Sequence, residues 1–330
     1  MQKSITLVII ISSILMSRCK SSDSTIQTAI AQTLTAQPTV TSTPIPTITP
    51  TNTPTITPSP TFTITPTPTL GIGTIVVSEV DAMVLVYVPA GEFQMGSNIS
   101  YDTEPVHPVY LDAFWIDQTE VTNQQYAEFL NDLGNQTEGG SSWLDAGSKY
   151  VRIHQTEGEW TADSEYSDHP VVEVSWYGAS AYCDWAGRKL PTEAMWEKAA
   201  RGADGRTYPW GEGIDCSLAQ YGDCGGGTVP VGSYPDGASP YGALDITGNV
   251  QEWVADLYDI NYYSNSPFEN PQGPSIGYYV VPLKPPLKHY RVLRDGAYNS
   301  VGWGLQAAAR GGAPPEGSYP GVGFRCVLAP

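Results

Sequence analysis

The stretch YGALDITGNVQEW, from Tyr241 to Trp253, places two carboxylates, two glycines and an asparagine close together in the chain. Asp245 and Glu252 supply hard oxygen donors of the kind that calcium prefers. Gly248, between them, can adopt backbone angles that other residues resist. Such a loop can wrap a cation with side-chain and backbone oxygens. The same composition also fits a loop whose carboxylates are merely solvated, and the spacing leaves both interpretations open.

Working outward, several stretches occur in an order that resembles the formylglycine-generating-enzyme-like family, also called the sulfatase-modifying factor family. GNVQEW is similar to the family's GNVWEW signature, and the chain closes with Gly323-Phe324-Arg325-Cys326, the family's usual ending. The other matches are Val86 to Phe129, with YVPAGEFQMGS and EPVHPVYLDAFWIDQTEVTNQQYAEF, and His169 to Gly202, HPVVEVSWYGASAYCDWAGRKLPTEAMWEKAARG. The resemblance implies an α+β protein with the formylglycine-generating-enzyme or C-type-lectin-like fold, with short strands and helices and much irregular structure.

The resemblance also implies a structural calcium ion in this loop. In the family's pattern, the positions of Asp245 and Glu252 bind through side chains, and those of Gly248 and Val250 bind through carbonyls. Aspartate in place of the family's asparagine keeps an oxygen donor and adds charge, which favours calcium. A second family site falls at Gln220, where a glutamine replaces the usual asparagine.

Copper is not expected. Family oxidases convert a substrate cysteine to an aldehyde and bind Cu(I) through two cysteines that follow an RGGSW-like motif, because Cu(I) prefers sulfur. The corresponding stretch, Arg294 to Leu305, contains no cysteine, and Asn299 and Ser300 stand near the first thiolate position. The oxidase activity therefore does not carry over by resemblance.

The same stretch could instead bind a ligand, because tyrosine and tryptophan offer rigid contact faces and arginine offers a planar fork. An ordinary loop surface with a buried Trp303 is the competing interpretation. A sulfatase-modifying-factor-type enzyme with non-standard catalytic residues is the alternative function, although His107 and His289 have no evident acid–base partners in the sequence. The candidate ligand-binding residues are Tyr298, Asn299, Ser300, Trp303, Gln306 and Arg310.

Five cysteines, at positions 19, 183, 216, 224 and 326, define the covalent possibilities. If Cys19 is a lipidation site, four remain, and four cysteines in an exported protein allow three pairings. Cys216 and Cys224 are close enough in sequence for a local bridge. The family's known pairing implies that Cys183 joins Cys326, a bridge that would contribute roughly 4 to 5 kcal/mol in the chain-entropy model.

The N-terminal region predicts export. Residues 1–19 have the positive start and short apolar run of a signal peptide, and Cys19 resembles a lipobox cysteine although Arg18 precedes it. Residues 20–70 form a Thr/Pro-rich linker that favours extended conformations. The domain at 71–330 would then face the outside on a membrane lipoprotein, or be secreted.

Charge limits the partners. The chain carries a formal net charge of -18, so nucleic acid and anionic membrane surfaces are not expected to bind it. We expect a monomer that binds a protein, peptide or small molecule in the cell envelope, with the lipid anchor as its membrane contact.

Local patterns predict the elements of the domain. Strands are expected at Val84–Val88, at Glu92–Met95 and at Val109–Ile116. Thr122, with Gln125 three residues on, predicts a capping box for a helix that stops at Gly134. Tyr126, Phe129, Leu130 and Leu133 fall on one face of this helix, and its aromatic residues are expected in the core. Further helices are expected at 176–186 and from Thr192 to 201. Residues 135–168 show little pattern and predict a variable loop, and Gly225-Gly226-Gly227 predicts a flexible turn.

Overall fold

The computed structural model describes residues 70–277 and 289–329, so the predicted signal peptide, Cys19 and nearly all of the linker lie outside the described residues. Within these two ranges the chain forms three α-helices and fourteen short strands. The helices are α1 (Asn123–Leu133), α2 (Trp176–Trp185) and α3 (Glu193–Arg201). The strands are β1 (Ile75–Val77), β2 (Val84–Val88), β3 (Gly91–Met95), β4 (His107–Leu111), β5 (Phe114–Asp117), β6 (Thr137–Glu138), β7 (Ser141–Ser142), β8 (Ile153–Thr156), β9 (Glu159–Ala162), β10 (Gln251–Leu257), β11 (Arg291–Arg294), β12 (Arg310–Ala313), β13 (Val322–Phe324) and β14 (Val327–Leu328).

Two four-stranded sheets organise the domain. One is antiparallel, in the order β1-β2-β5-β14, and joins the start of the domain to its last strand. The other has the order β12-β11-β10-β13, in which β13 runs parallel to β10 and the remaining pairs are antiparallel. Three two-stranded ribbons, β3-β4, β6-β7 and β8-β9, complete the strands. This mixture confirms the predicted α+β fold with short elements.

The predicted strand at Val109–Ile116 is wrong as one element. The structure divides it into β4 and β5, which belong to different sheets. Around the break, the Tyr110 amide donates to the Phe268 carbonyl and the Asp112 amide donates to the Asn270 side chain. These bonds from a distant segment turn the chain, and a continuous apolar pattern cannot reveal them.

Helix capping follows local chemistry closely. The Thr122 hydroxyl accepts from the Gln125 amide, and the Gln125 side chain accepts from the Thr122 amide, which confirms the capping box. The Ser175 and Thr192 hydroxyls cap α2 and α3 by accepting from the Gly178 and Met195 amides. The aromatic residues Tyr126 and Phe129 are buried as predicted, whereas Leu133 on the same face is 46% exposed, because α1 ends there and its last turn faces solvent.

Residues 135–168 are more ordered than predicted. They contain the ribbons β6-β7 and β8-β9, and β9 packs against α1. Val151, Ile153 and Trp160 are buried in the core that also contains Phe129. The apolar positions are too few and too short for periodicity to show.

Two large apolar clusters fill the interior. One lies around α1 and α2 and includes Tyr126, Tyr182, Trp253 and Phe324, and the other lies around α3 and includes Trp196. Both predicted disulfides, Cys183–Cys326 and Cys216–Cys224, are present, and the first is buried within the α1–α2 cluster. No helix among the described residues has the length and apolar character that crossing a bilayer requires.

Candidate functional site

The loop before β10 is held by backbone geometry that the sequence indicated. Gly248 has φ +88°, and a Cβ there would lie 2.3 Å from the Gln220 carbonyl oxygen, so only glycine fits. The Asn249 amide donates to that same carbonyl at 2.8 Å, and the Asn249 carbonyl accepts from the Tyr298 amide at 2.8 Å. The loop therefore joins the Gln220 segment to the segment that begins at Tyr298.

Glu252 has partners that the sequence did not suggest. Its carboxylate is fully buried and accepts from the Arg325 guanidinium, with nitrogen–oxygen distances of 2.8 and 2.9 Å, and from the Trp196 indole at 2.7 Å. Arg325 also donates to three backbone carbonyls, those of Asp117, Gln118 and Leu244. Both oxygens of Glu252 are therefore engaged by the protein. Its predicted role as a calcium ligand stays a prediction.

The other carboxylates near this ion pair are less well satisfied. Asp245 Oδ1, Glu120 Oε1 and Asp295 Oδ1 are buried and have no hydrogen-bond partner among the described residues. Burial raises the pKa of Asp245 to about 6, and burial together with the Asp245 charge raises the pKa of Glu120 well above its ordinary value. Burial also raises the pKa of Asp295 well above its ordinary value. If all four carboxylates are ionised, Arg325 alone leaves three negative charges uncompensated.

The excess of negative charge in this region bears on whether the predicted calcium ion fits. Buried, unpartnered carboxylate oxygens are costly unless they are protonated or meet a cation, so the donor chemistry at Asp245 suits calcium. Asp245, Gly248 and Val250 are all buried in the loop. Among the described residues, however, no group of three or more Asp, Glu, His or Cys side chains converges as a metal site. Calcium is therefore a proposal that rests on Asp245 and the loop carbonyls.

Gln220, at the predicted second site, is used as a hydrogen-bonding bridge. Its amide nitrogen donates to the carbonyls of Gly225 and Gly227 at 2.7 and 2.9 Å, and its oxygen accepts from the Tyr234 hydroxyl at 3.0 Å. The glycine run is thus tethered by a buried side chain.

The six predicted ligand-binding residues do not form one surface. Tyr298 lines a cavity of about 490 Å³ and Asn299 lines a neighbouring one of about 510 Å³, and Pro320 lines both. Gln306 lines a third cavity, beside Arg201. Trp303 is 61% exposed, which excludes the alternative in which it is buried. The Ser300 hydroxyl accepts from the Ala297 amide at 2.9 Å and so shapes the turn.

Arg310 is a correction to the predicted ligand-binding set. Its side chain is buried and forms a bidentate ion pair with Glu193, with both nitrogen–oxygen distances at 2.7 Å. The guanidinium lies over the rings of Tyr258 and Tyr263 and also donates to the Asp102 carbonyl. A ligand could reach it only by breaking this buried network, so Arg310 is a structural residue.

Sequence reasoning missed the cavity that Tyr298 lines. Much of its wall comes from Tyr150, Arg152, Glu165 and Tyr166, within the 135–168 segment predicted to be a variable loop, and from His169 at its edge. Two tyrosines with an arginine between them were the available signal. Nothing in the sequence indicated that it would face Tyr298, almost 130 positions later.

With this geometry established, comparisons with known proteins identify the class. Residues 74–330 match the sulfatase-modifying factor enzyme 1-like domain, and the chain belongs to the sulfatase-modifying factor family. The formylglycine-generating enzyme of Streptomyces coelicolor is 35% identical over 292 residues, covering 73% of this chain and 88% of that protein. The serine/threonine-protein kinase pkn1 of Chlamydia caviae is 39% identical over 247 residues, covering 74% of this chain. That match spans only 37% of the kinase's length.

Solved structures agree on the fold. PvdO from Pseudomonas aeruginosa superposes with a TM-score of 0.58 at 23% identity, covering 79% of this chain and all of PvdO. Treponema denticola variable protein 1 superposes with a TM-score of 0.59 at 22% identity, covering 78% of this chain and 99% of that one. These similarities establish the fold, and the function has to be inferred from the residues of the site.

Proposed function

We propose that this domain is a ligand- or protein-binding module of the cell envelope, stabilised by calcium, in which the former catalytic face has become a binding surface. One observation supports this most: Cys183, Cys216, Cys224 and Cys326 are all in disulfides, and the stretch Arg294–Leu305 contains no cysteine. Thiolates are the donors that Cu(I) requires. Export and anchoring through Cys19 are part of the same proposal.

The binding surface is centred on Tyr298 and Asn299. These neighbours line two adjoining cavities, each large enough for a small molecule or a few residues of a peptide. The exposed ring of Trp303 provides a further large contact face on the same segment.

An enzyme of the formylglycine-generating type is the second candidate, favoured by the 35% identity to the Streptomyces enzyme. The decisive experiment loads the full chain with Cu(I) in air and offers a cysteine-containing sulfatase-type peptide. We expect no conversion of the thiol to an aldehyde by mass spectrometry, while an intact family enzyme converts the peptide alongside. Aldehyde formation would refute the binding-module proposal and point to copper ligands other than the predicted pair.

A positive arm of the same experiment places a photo-crosslinking amino acid at Trp303 in the producing cell. The binding-module proposal predicts a discrete crosslinked species. The matched control places the same amino acid at Tyr101, which is 72% exposed and lines a different cavity. Equal crosslinking at both positions would contradict a specific surface at Trp303.

Calcium is proposed to bind at Asp245 and the carbonyls of Gly248 and Val250. We expect saturating calcium to raise the unfolding temperature of the chelator-treated protein, because a ligand at 100 times its dissociation constant adds about 2.7 kcal/mol of stability. For a domain of this size that is a rise of roughly 5 to 10 °C.

Asp245→Ala should lose most of the rise, since it removes the side-chain oxygen donor, whereas Asp245→Asn would keep the amide oxygen that the family's pattern has at this position. Asp236→Ala, which removes a carboxylate from an exposed turn, is the control and should respond like the wild type. An equal calcium response in Asp245→Ala would place the ion elsewhere, and no response in the wild type would refute the calcium proposal.

A further inference from the structure

The cavity beside Tyr298 contains an arginine whose side-chain donors form no hydrogen bond with the residues that the structure describes. The cavity measures about 490 Å³, and its wall combines rings and charged groups from at least five separate parts of the chain. The side chains that bear on its chemistry are Tyr150, Arg152, Glu165, Tyr166, His169 and Tyr298.

Arg152 differs from the other arginines of the described residues. No carboxylate oxygen in the described part of the chain lies within 4.0 Å of its guanidinium, and no hydrogen bond from it is formed there. Arg291 donates to the Ala255 carbonyl. The remaining ones each form an ion pair with Asp or Glu: Arg188, Arg201, Arg206, Arg294, Arg310 and Arg325. In a chain with 34 acidic and 16 basic residues, an arginine without a carboxylate partner is notable.

Arg152 is also positioned. Its guanidinium lies 4.4 Å from the centroid of the Tyr166 ring, and the Tyr166 ring lies 4.8 Å from the His169 ring. The His169 Nδ1 is 3.0 Å from the Thr228 hydroxyl, which fixes the imidazole. Burial, with a smaller contribution from the Arg152 charge, lowers the pKa of His169. A guanidinium stacked on a ring is already ordered, so its planar edge can bind a ligand with little further loss of side-chain entropy.

The other walls suit a planar body. Tyr298 and Tyr150 offer further ring faces, and the Lys149 Nζ lies 4.8 Å from the centroid of the Tyr150 ring. Glu165 is exposed on the same cavity and would repel a highly charged anion. A cavity with one arginine fork and the Glu165 carboxylate therefore favours a ligand with a singly charged carboxylate over a ligand with a phosphate.

We propose that this cavity binds a ligand through a carboxylate, which pairs with the Arg152 fork while an aromatic or similarly flat group lies against Tyr166 and Tyr298. The carboxylate could belong to a free aromatic acid or to the C-terminus of a peptide. This inference rests on the proposed binding function and names the ligand class for one of its two cavities.

The test is calorimetric titration of the full chain with N-acetyl-L-phenylalanine and with its carboxamide. We expect the acid to bind at least ten times more tightly than the amide, which has the same shape but cannot form the charged pair. A Gly-Gly-Phe tripeptide with a free C-terminus distinguishes the two sources: tighter binding than the single residue indicates a peptide terminus, and weaker binding a free acid. Equal binding of acid and amide, or no binding of either, would overturn the proposal.

Variants locate the site. Arg152→Gln should weaken binding of the acid at least tenfold, and Glu165→Gln should strengthen it two- to threefold because an exposed repulsive charge is removed. Arg206→Gln removes the same charge from an arginine paired with Asp204 and should bind like the wild type. Unchanged unfolding temperatures would confirm that all three variants fold.

An undiminished affinity in Arg152→Gln would overturn the inference, as would weaker binding in Glu165→Gln, since the latter indicates a cationic group on the ligand. Either outcome leaves the broader binding function standing if crosslinking at Trp303 still succeeds. Aldehyde formation in the copper assay would remove the proposed function without affecting the carboxylate result.

Discussion

Arg325→Met is expected to lower the free energy of unfolding by about 4 kcal/mol, because breaking a buried ion pair leaves an uncompensated charge in the interior. Arg325 is fully buried, binds Glu252 through two nitrogens and donates to three backbone carbonyls. The Arg325 charge also stabilises the ionised forms of Glu120, Asp245 and Asp295. Its loss therefore removes a favourable charge from these three carboxylates and from Glu252. Methionine fills similar volume, so the effect measures charge and hydrogen bonding more than a cavity.

Urea unfolding of the full chain measures this effect. Glu252→Gln should lower the free energy of unfolding less than Arg325→Met does. In Glu252→Gln, Arg325 keeps its three carbonyl acceptors and its attraction to the neighbouring carboxylates. Arg206→Met, which breaks the half-exposed pair with Asp204, is the control and should change stability by less than about 1 kcal/mol. If Arg325→Met lowers the free energy of unfolding by less than Arg206→Met does, Arg325 does not compensate the charge of the carboxylates.

Removal of the Cys183–Cys326 disulfide is the second large effect. The bond closes a loop with a sequence separation of 143 residues, and the chain-entropy relation gives about 5 kcal/mol for a loop of that length. The cysteines also pack in the same cluster as Tyr182 and Phe324, so replacing both by alanine removes some apolar contact as well. We expect Cys183→Ala/Cys326→Ala to unfold at markedly lower denaturant concentration than the wild type.

Cys216→Ala/Cys224→Ala is the matched comparison. Its loop has a separation of only 8 residues, for which the same relation gives about 2.5 kcal/mol, roughly half as much. Cys216 is exposed, so little packing is lost there. The Cys216→Ala/Cys224→Ala variant could instead prove the less stable of the two. In that case the contribution of each disulfide to stability does not follow loop length, and the Cys216–Cys224 bridge must also hold structure outside its own loop.

Local sequence was enough for the elements whose chemistry is local. The Thr122–Gln125 capping box involves groups three residues apart, and Gly248 must be glycine because of its own backbone angle and a close carbonyl. Family motifs then supplied the fold and the Cys183–Cys326 pairing, because they state which distant segments meet.

Where distant segments compete for one side chain, the sequence misled. Arg310 looked available for a ligand, yet it pairs with Glu193, 117 positions away. Glu252 has a partner that sequence spacing does not show, because Arg325, 73 positions on, donates to both of its oxygens. In each case a buried charge takes the nearest opposite charge in space, and sequence spacing does not contain that distance.

The sequence by itself therefore determined the family, the helix caps, the glycine at the centre of the 241–253 loop and the absence of cysteine from Arg294–Leu305. Only the tertiary structure decided which charges are satisfied and which remain free. It buried Arg310 and Arg325 against carboxylates and placed Arg152 in the same cavity wall as Tyr298. Within the described part of the chain, it left Asp245 with an unpartnered oxygen and Arg152 with no carboxylate partner. The physical reason is that pairing of charges depends on separation in space and on burial, and both are set by the folded chain as a whole.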